Sequence, residues 1–326
     1  MQNQSYKKLL SSLAVLAMGC FAGVASAQDA TQNSSKVVIS TGNPDGQLGA
    51  LSVPANTNLK ETETADDFDL GKLTVISGAS IVGVIPAGTP LANITNVEVE
   101  IYNVFPLDSV QPPSGNVPTR KNSPADHEIA SATRDASKHT LASRVALLNA
   151  NFTVQNKVIN GINKMIAGDP TTTVTHGEGP ETGQEVRIDI VFRNPILLPA
   201  GHYFFRPEVQ VAGGRFLFAS APKPIVAPGT AIPGDLQAWI RNSALAPDWL
   251  RIGTDIIAGV PPTFNMTFSL TGNAIVAPGA PGEPNCNGQT TAGLAHQFGS
   301  IDAAAATLGF PSVDSLHQAF GAFCAP

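Results

Sequence analysis

The feature that most constrains the fold of this chain is a repeated alternation of apolar and polar side chains, interrupted by glycine, proline and asparagine. Residues 186–192 are apolar at 186, 188, 190 and 192, with Arg187 and Asp189 on the opposite face, and residues 97–101 and 264–270 alternate apolar and polar positions. A strand with one buried face and one wet face requires this spacing. Several such runs with turn-rich gaps predict a mainly β fold, an antiparallel and jelly-roll-like β-sandwich over residues 37–272.

The pattern changes after residue 272. Residues 273–285 are rich in proline and glycine and are typical of a semi-rigid linker. Beyond them, apolar residues recur at helical spacing, and Ser300 and Ser312 are each followed two positions later by an aspartate, as helix N-caps often are. We therefore expect a mini-module of three short helices over residues 286–326.

The first 27 residues have the pattern of a secretory signal peptide. Lys7 and Lys8 give it a positive start, residues 9–24 are mostly apolar, and a small-x-small cleavage site ends at Ala27. A membrane anchor fits less well because the apolar run is short and contains glycine. A lipoprotein modified at Cys20 also fits less well, because no leucine stands three positions before that cysteine. We expect an exported protein, extracellular or periplasmic, that is soluble after cleavage.

Cleavage would leave a flexible polar tail at 28–36 and two cysteines, Cys286 and Cys324. An even number of cysteines in an exported protein predicts a disulfide bond between them. The bond would close the helical module, which is too small to be stable easily without a covalent link. No later apolar run is long enough to span a bilayer, so we expect no transmembrane segment in the mature chain.

Charge and motifs exclude several classes of function. The chain has 19 Lys and Arg against 25 Asp and Glu, a net charge of −6, and no basic cluster. Nucleic-acid binding needs such a cluster, so nucleic acid is not an expected partner. The sequence contains no nucleophile elbow, phosphate-binding loop, dinucleotide fingerprint or zinc-protease motif, and its six histidines lie far apart. These absences favour a non-catalytic protein.

The densest group of polar side chains is the acidic stretch 61–69, which has five carboxylates in nine residues. Closely spaced oxygen ligands suit Ca²⁺, which makes this stretch a candidate structural calcium site with Glu63, Asp66, Asp67 and Asp69 as ligands. The alternative is that the two adjacent aspartates cap a turn while the glutamates are solvated. A hydrolase with paired carboxylates is a further interpretation of the same residues.

Trp239 and Trp249 lie in the segment 234–251 and are the only tryptophans in the chain. Flat aromatic rings on a sandwich face could stack on sugar rings, which makes them candidate ligand-binding residues. The alternative is burial in the core, where large aromatic side chains stabilise most.

Four segments together resemble an uncharacterised family of exported bacterial proteins, some of which carry C-terminal sorting tails of the PEP-CTERM kind. The segments are residues 40–46, the Glu-Thr-Ala-Asp-Asp-Phe stretch at 63–68, residues 198–204 and the block 234–255. The Ala-Asp-Asp-Phe motif is also similar to the start of jelly-roll modules on secreted bacterial proteins. The resemblance implies a β-sandwich and export. It supplies no catalytic residues, and this chain shows neither the apolar span nor the basic tail of anchored members.

These observations predict a secreted, non-catalytic β-sandwich protein that binds an extracellular or cell-envelope partner, with a polysaccharide as the first candidate. One alternative is a calcium-dependent glycan hydrolase or lyase that works through Asp and Glu. Another is a structural protein of a matrix or surface layer.

Overall fold

The computed structural model describes residues 36–110, 116–164, 174–258, 263–276 and 279–325. The predicted signal peptide and the predicted tail as far as residue 35 lie outside the described residues, so the cleavage site near Ala27 stays a prediction. No helix within the described ranges is both long enough and apolar enough to cross a membrane.

The described residues form sixteen strands: β1 Lys36–Ser40, β2 Leu48–Leu51, β3 Thr62–Leu70, β4 Thr74–Pro86, β5 Ile94–Val104, β6 Pro124–Glu128, β7 Arg134–Asp135, β8 Leu141–Val154, β9 Asn156–Val158, β10 Glu181–Leu198, β11 Gly201–Val211, β12 Leu217–Ala221, β13 Trp239–Asn242, β14 Leu250–Arg251, β15 Asn265–Met266 and β16 Phe268–Ala274. Three α-helices follow: α1 Cys286–Phe298, α2 Ile301–Leu308 and α3 Val313–Cys324.

The strands form two sheets. The first has nine strands and is organised around β4, which pairs with β10 along its whole length and with β16 and then β12 on its other side. The second has seven strands in the order β14-β13-β3-β11-β5-β6, with β7 added beside β5. Pairing is antiparallel throughout these ladders except between β2 and β9. The predicted antiparallel, jelly-roll-like sandwich is confirmed.

Aromatic rings from both sheets meet in the space between them. Phe205 of β11 stacks on Phe268 of β16 with ring centroids 5.0 Å apart, and Phe68 of β3 meets the same ring edge-on at 6.5 Å. The apolar positions of the alternating run in β10, from Val186 to Phe192, are buried in this core. The alternation therefore marked the core face correctly.

Strand β11 contains a proline, Pro207, which has no N–H to donate to a neighbouring strand. β11 is an interior strand, since it pairs with β3 on one side and β5 on the other. Its ladder with β3 ends at Phe205, however, and Pro207 pairs only with Val99 of β5. Pro207 therefore lies beyond the end of the ladder with β3, so its missing N–H costs no ladder hydrogen bond.

The helical region is closed by the predicted bond between Cys286 and Cys324, whose Cα atoms are 5.7 Å apart. The predicted caps form as well: the Ser300 side chain accepts from the N–H of Ala303 and that of Ser312 from the N–H of Ser315. The helices also pack on the sandwich. Their apolar cluster contains Val75 of β4 beside Leu294, Leu308, Leu316 and Phe320.

Candidate functional site

Charged and aromatic side chains collect on the outer face of the second sheet, which is turned away from the sandwich core. Side chains alternate along a strand, so odd positions of β3 and even positions of β5 and β11 share this face. Register then brings opposite charges together: Glu100 lies opposite Arg206, and Glu63 lies opposite Arg241. We call the following six buried residues the outer-face network: Glu63, Glu100, Tyr102, Arg206, Glu208 and Arg241.

Arg206 is the centre of this network. Its Nη2 atom lies 2.7 Å from Oε1 of Glu63 and 2.7 Å from Oε2 of Glu100, and its Nη1 atom lies 2.7 Å from Oε2 of Glu208. One guanidinium thus fixes three carboxylates from three strands. Charge-assisted bonds of this kind are short and hold their partners in a defined geometry.

Arg241 closes the network from the neighbouring strand β13. Its Nε donates to Oε2 of Glu63, and its Nη2 donates to the Tyr102 hydroxyl at 3.0 Å. The Tyr102 hydroxyl in turn donates to Oε2 of Glu100 at 2.6 Å. The Arg241 guanidinium also lies 4.3 Å from the ring centre of Trp249, a cation–π contact. The network is therefore covered by an aromatic side chain as well as paired by charge.

The titration behaviour of the carboxyl groups differs sharply within this small region. Burial alone would raise the pKa of Glu63, but the charges of Arg206 and Arg241 lower it to about 2. Burial raises the pKa of Glu208 to about 8, against the opposing charge of Arg206. Burial and a hydrogen bond shared with Glu100 raise the pKa of the neighbouring Glu98 to about 7. Strongly shifted groups that lie together are a common mark of a functional site.

The network opens into a recess of about 250 Å³, which we call the outer-face recess. Its wall consists of Glu61, Glu63, Glu100, Tyr102, Glu128, Arg206, Arg241, Ser243 and Ala246. Four carboxylates thus face two guanidinium groups, so the recess is negative when all are ionised. Glu61 is half-buried and Glu128 is exposed, and within the described ranges neither forms an ion pair.

The predicted calcium ligands do not converge. Glu63 is bound to the two arginines, whereas Asp67 accepts from the N–H of Leu236 and contacts His202. Asp69 is half-buried at the end of β3. Among the residues that the structure describes, no group of three or more His, Cys, Asp or Glu side chains could hold a metal ion. Asp66 and Asp67 both lie within the strand β3, so the alternative in which these two aspartates cap a turn is wrong.

Asp66 points to the opposite side of β3, into the core. Its Oδ2 accepts from the backbone N–H of Met266 at 2.7 Å, while its Oδ1 has no hydrogen-bond partner in the described part of the chain. Burial, and then the charge of Asp67, raise the pKa of Asp66 well above its usual value. Burial and the neighbouring negative charge thus both favour the neutral form of this carboxyl group, which is a weaker ligand for Ca²⁺ than a carboxylate.

Both tryptophans are buried in a small apolar cluster on the outer face of the second sheet. Trp239 is 1% exposed and Trp249 is 0% exposed, and both pack with Ala65, Tyr102 and Phe204. Neither ring presents a face to solvent. The two tryptophans are therefore buried, as the alternative expected, and they do not form a platform on which a sugar ring could stack.

Sequence reasoning missed the arginines and Tyr102. Arg206 and Arg241 are 35 positions apart in the chain and both meet Glu63, which is 143 and 178 positions away. The one usable signal was local: Glu98 and Glu100 alternate along β5 in a chain with only 13% charged residues. Glutamates at alternate positions ordinarily indicate a strand face that is open to solvent, because the sequence of one strand does not show which other residues cover that face.

No family model, curated protein or solved structure matched this chain in the comparisons.

Proposed function

We propose that this protein is an exported, non-catalytic binding protein whose outer-face recess takes a polysaccharide that is neutral or carries amino groups. The observation that carries this proposal is the fixed position of the carboxylates in the recess. Glu63 and Glu100 are both held by Nη2 of Arg206. Acceptors that are already positioned lose little conformational entropy when a ligand binds, so pre-organisation favours affinity.

The charge of the recess supports this class of ligand. Its two guanidinium groups are occupied by carboxylates of the chain, while the carboxylates at its rim, Glu61 and Glu128, are free of ion pairs in the described residues. Sugar hydroxyls and ammonium groups donate to such carboxylates. An acidic polysaccharide would place like charges together, which costs free energy.

Export is the second part of the proposal. The leader of 27 residues supports it, and the bond between Cys286 and Cys324 is compatible with an oxidising compartment. Mass spectrometry of the protein recovered from a bacterial expression host would show a mature N-terminus at residue 28. Recovery of the uncleaved chain in the cytosol would contradict export.

The binding proposal is tested with a glycan array and with pull-downs on insoluble neutral, amino-bearing and acidic polysaccharides. Binding is expected on the first two classes and not on the third. The double variant Glu61→Gln/Glu128→Gln should weaken binding about tenfold, since a hydrogen bond to a charged group contributes about 1.5–3 kcal/mol. The exposed Glu283→Gln is the matched control and should bind as the parent does.

Blank results on all three classes with folded protein would contradict the proposal. Self-assembly of the protein at native concentration, without a soluble ligand, would favour the structural matrix alternative.

One observation favours a second candidate, a glycan hydrolase that uses two carboxyl groups. Glu63 has a pKa near 2 and Glu98 a pKa near 7, and Glu98 is hydrogen-bonded to Glu100 in the wall of the recess. Carboxyl groups with well-separated pKa values can divide the roles of base and acid. Turnover on a glycan panel that is lost in Glu98→Gln would establish this candidate, whereas binding without turnover would support the first proposal.

A further inference from the structure

A second and larger cavity lies between the helical region and the sandwich, away from the outer-face recess. Its volume is about 470 Å³, within the usual range of about 300–1,000 Å³ for sites that take small molecules. One wall is the face of α3 that carries Ala319, Ala322 and Phe323, and the opposite wall includes Leu197 and Leu198 of β10. Most of the cavity is therefore lined by apolar side chains.

Arg134 stands in the wall of this cavity and is 9% exposed. Its guanidinium donates only to neutral backbone carbonyls, namely those of Ser131, Thr133, Asn194 and Pro195, at 2.6–3.1 Å. No carboxylate of the described residues forms an ion pair with it. Burial lowers the pKa of Arg134 to about 10, which still leaves the group charged at neutral pH.

Arg134 and the groups that hold its guanidinium lie at the same cavity. Three of the residues whose carbonyls hold it, Ser131, Asn194 and Pro195, line the same cavity. A guanidinium has five N–H donors, and the four bonds leave one of them available on Nη2. Asp108 is the carboxylate in the lining, and its Oδ2 accepts from the side chain of Asn103.

A buried cation that has no counter-ion is costly, and a ligand that brings an anion into the cavity removes much of that cost. Arginine is a strong partner for a carboxylate because its guanidinium stays charged and an N–H bond from it to a carboxylate is charge-assisted. The remainder of such a ligand has to be apolar to suit Leu197, Leu198 and Phe323.

We propose that this cavity binds an organic acid with an apolar body, whose carboxylate pairs with Arg134 and whose body lies against α3. This site is independent of the polysaccharide proposal, because it uses a different cavity and different residues. A fatty acid and an aromatic acid both combine a carboxylate with an apolar body, and the experiment distinguishes between these two classes of ligand.

The test is isothermal titration calorimetry of the purified protein with decanoate, 3-phenylpropanoate and decanol. At least one of the two acids is expected to bind, and about tenfold or more tightly than decanol, since the alcohol lacks the charge that pairs with Arg134. Binding of decanoate alone would assign a fatty acid, and binding of 3-phenylpropanoate alone an aromatic acid.

Two variants locate the site. Arg134→Gln should remove the preference for acid over alcohol, and Ala322→Trp should fill the cavity and abolish binding of both acids. Ala306→Trp is the matched control, because Ala306 is an exposed alanine of α2 that does not line the cavity. It should bind as the parent does.

The proposal is overturned if neither acid binds, if decanol binds as tightly as decanoate, or if Ala322→Trp leaves acid binding unchanged. If Arg134→Gln fails to fold, the ratio of acid to alcohol affinity in the parent and the result for Ala322→Trp decide the question. Loss of glycan binding would leave these measurements unaffected, so failure of one proposal is distinguishable from failure of the other.

Discussion

The Nε2 atom of His202 lies 2.5 Å from Oδ2 of Asp67, and both oxygens of Asp67 also accept from the backbone N–H of Leu236. Asp67 is buried, whereas His202 is half-buried at the start of β11. Burial alone would lower the pKa of His202, but the hydrogen bond and the charge of Asp67 raise it. The folded chain therefore holds this imidazole in its protonated form more firmly than the unfolded chain does.

This pair predicts a pH-dependent part of the stability. Since the folded pKa of His202 is raised, its contribution is complete below the unfolded pKa of about 6.5 and is lost as pH rises through the folded value. In His202→Gln that loss should disappear from the free energy of unfolding, as measured by urea denaturation across this window. His127→Gln, at an exposed position, is the control. An NMR titration in Asp67→Asn should show a lower pKa for His202, and an unchanged pKa would contradict the assignment.

Glu208 predicts a second pH dependence, at higher pH. Its raised pKa of about 8 means that its contribution to stability is complete below its unfolded pKa and is lost as pH rises through about 8. Glu208→Gln cannot ionise, so its stability relative to the parent should increase between pH 5 and pH 9. Urea unfolding at both pH values measures the difference, with Glu283→Gln as control. Parallel pH curves for parent and variant would rule out the raised pKa.

Trp249 should behave as a core residue. Its ring is fully buried, lies over the Arg241 guanidinium and meets the ring of Tyr102 edge-on at 5.6 Å. Trp249→Ala should therefore lower the free energy of unfolding by about 3–5 kcal/mol, the usual cost of removing a large buried aromatic side chain. In the native protein, iodide should quench tryptophan emission little. Strong quenching would show that a ring is open to solvent after all.

The disulfide should stabilise the helical region more than the sandwich. Cys286 and Cys324 are 38 positions apart, and a closed loop of this length stabilises by about 3–4 kcal/mol on the chain-entropy model. Under reductant, hydrogen exchange should become faster in α1 to α3, while the central ladder of β4 and β10 keeps its protection. Cys324→Ser and the double serine variant should match each other. Equal hydrogen-exchange protection of α1 to α3 with and without reductant would show that the disulfide does not stabilise the helical region.

The alternating runs predicted the sandwich because burial on one strand face is a local property. Val186, Ile188, Ile190 and Phe192 are core residues, as their two-residue spacing requires. The helix caps at Ser300 and Ser312 are local for the same reason, since each bond spans three residues. The disulfide followed from counting the cysteines.

The outer-face network could not be predicted in this way. Glu63 meets Arg206 and Arg241 only because β3 lies between β11 and β13, and no local pattern reveals that order of strands. The acidic stretch shows the reverse case. Asp66 and Asp67 are neighbours in sequence, but alternation along β3 sends one into the core and the other to the outer face. A cluster of carboxylates in a sequence becomes a metal site only if the backbone brings the side chains to one point.

Val75 belongs to a strand of the sandwich, but its side chain packs among the apolar residues of the three helices, as does Leu197 of β10. A gene rearrangement that cut the chain between β16 and α1 would expose an apolar patch on the sheet. It would also remove the sheet residues on which the helices pack. Each part is therefore expected to be less stable without the other. A change of side-chain size at Val75 would select for a compensating change among the helical residues that it faces.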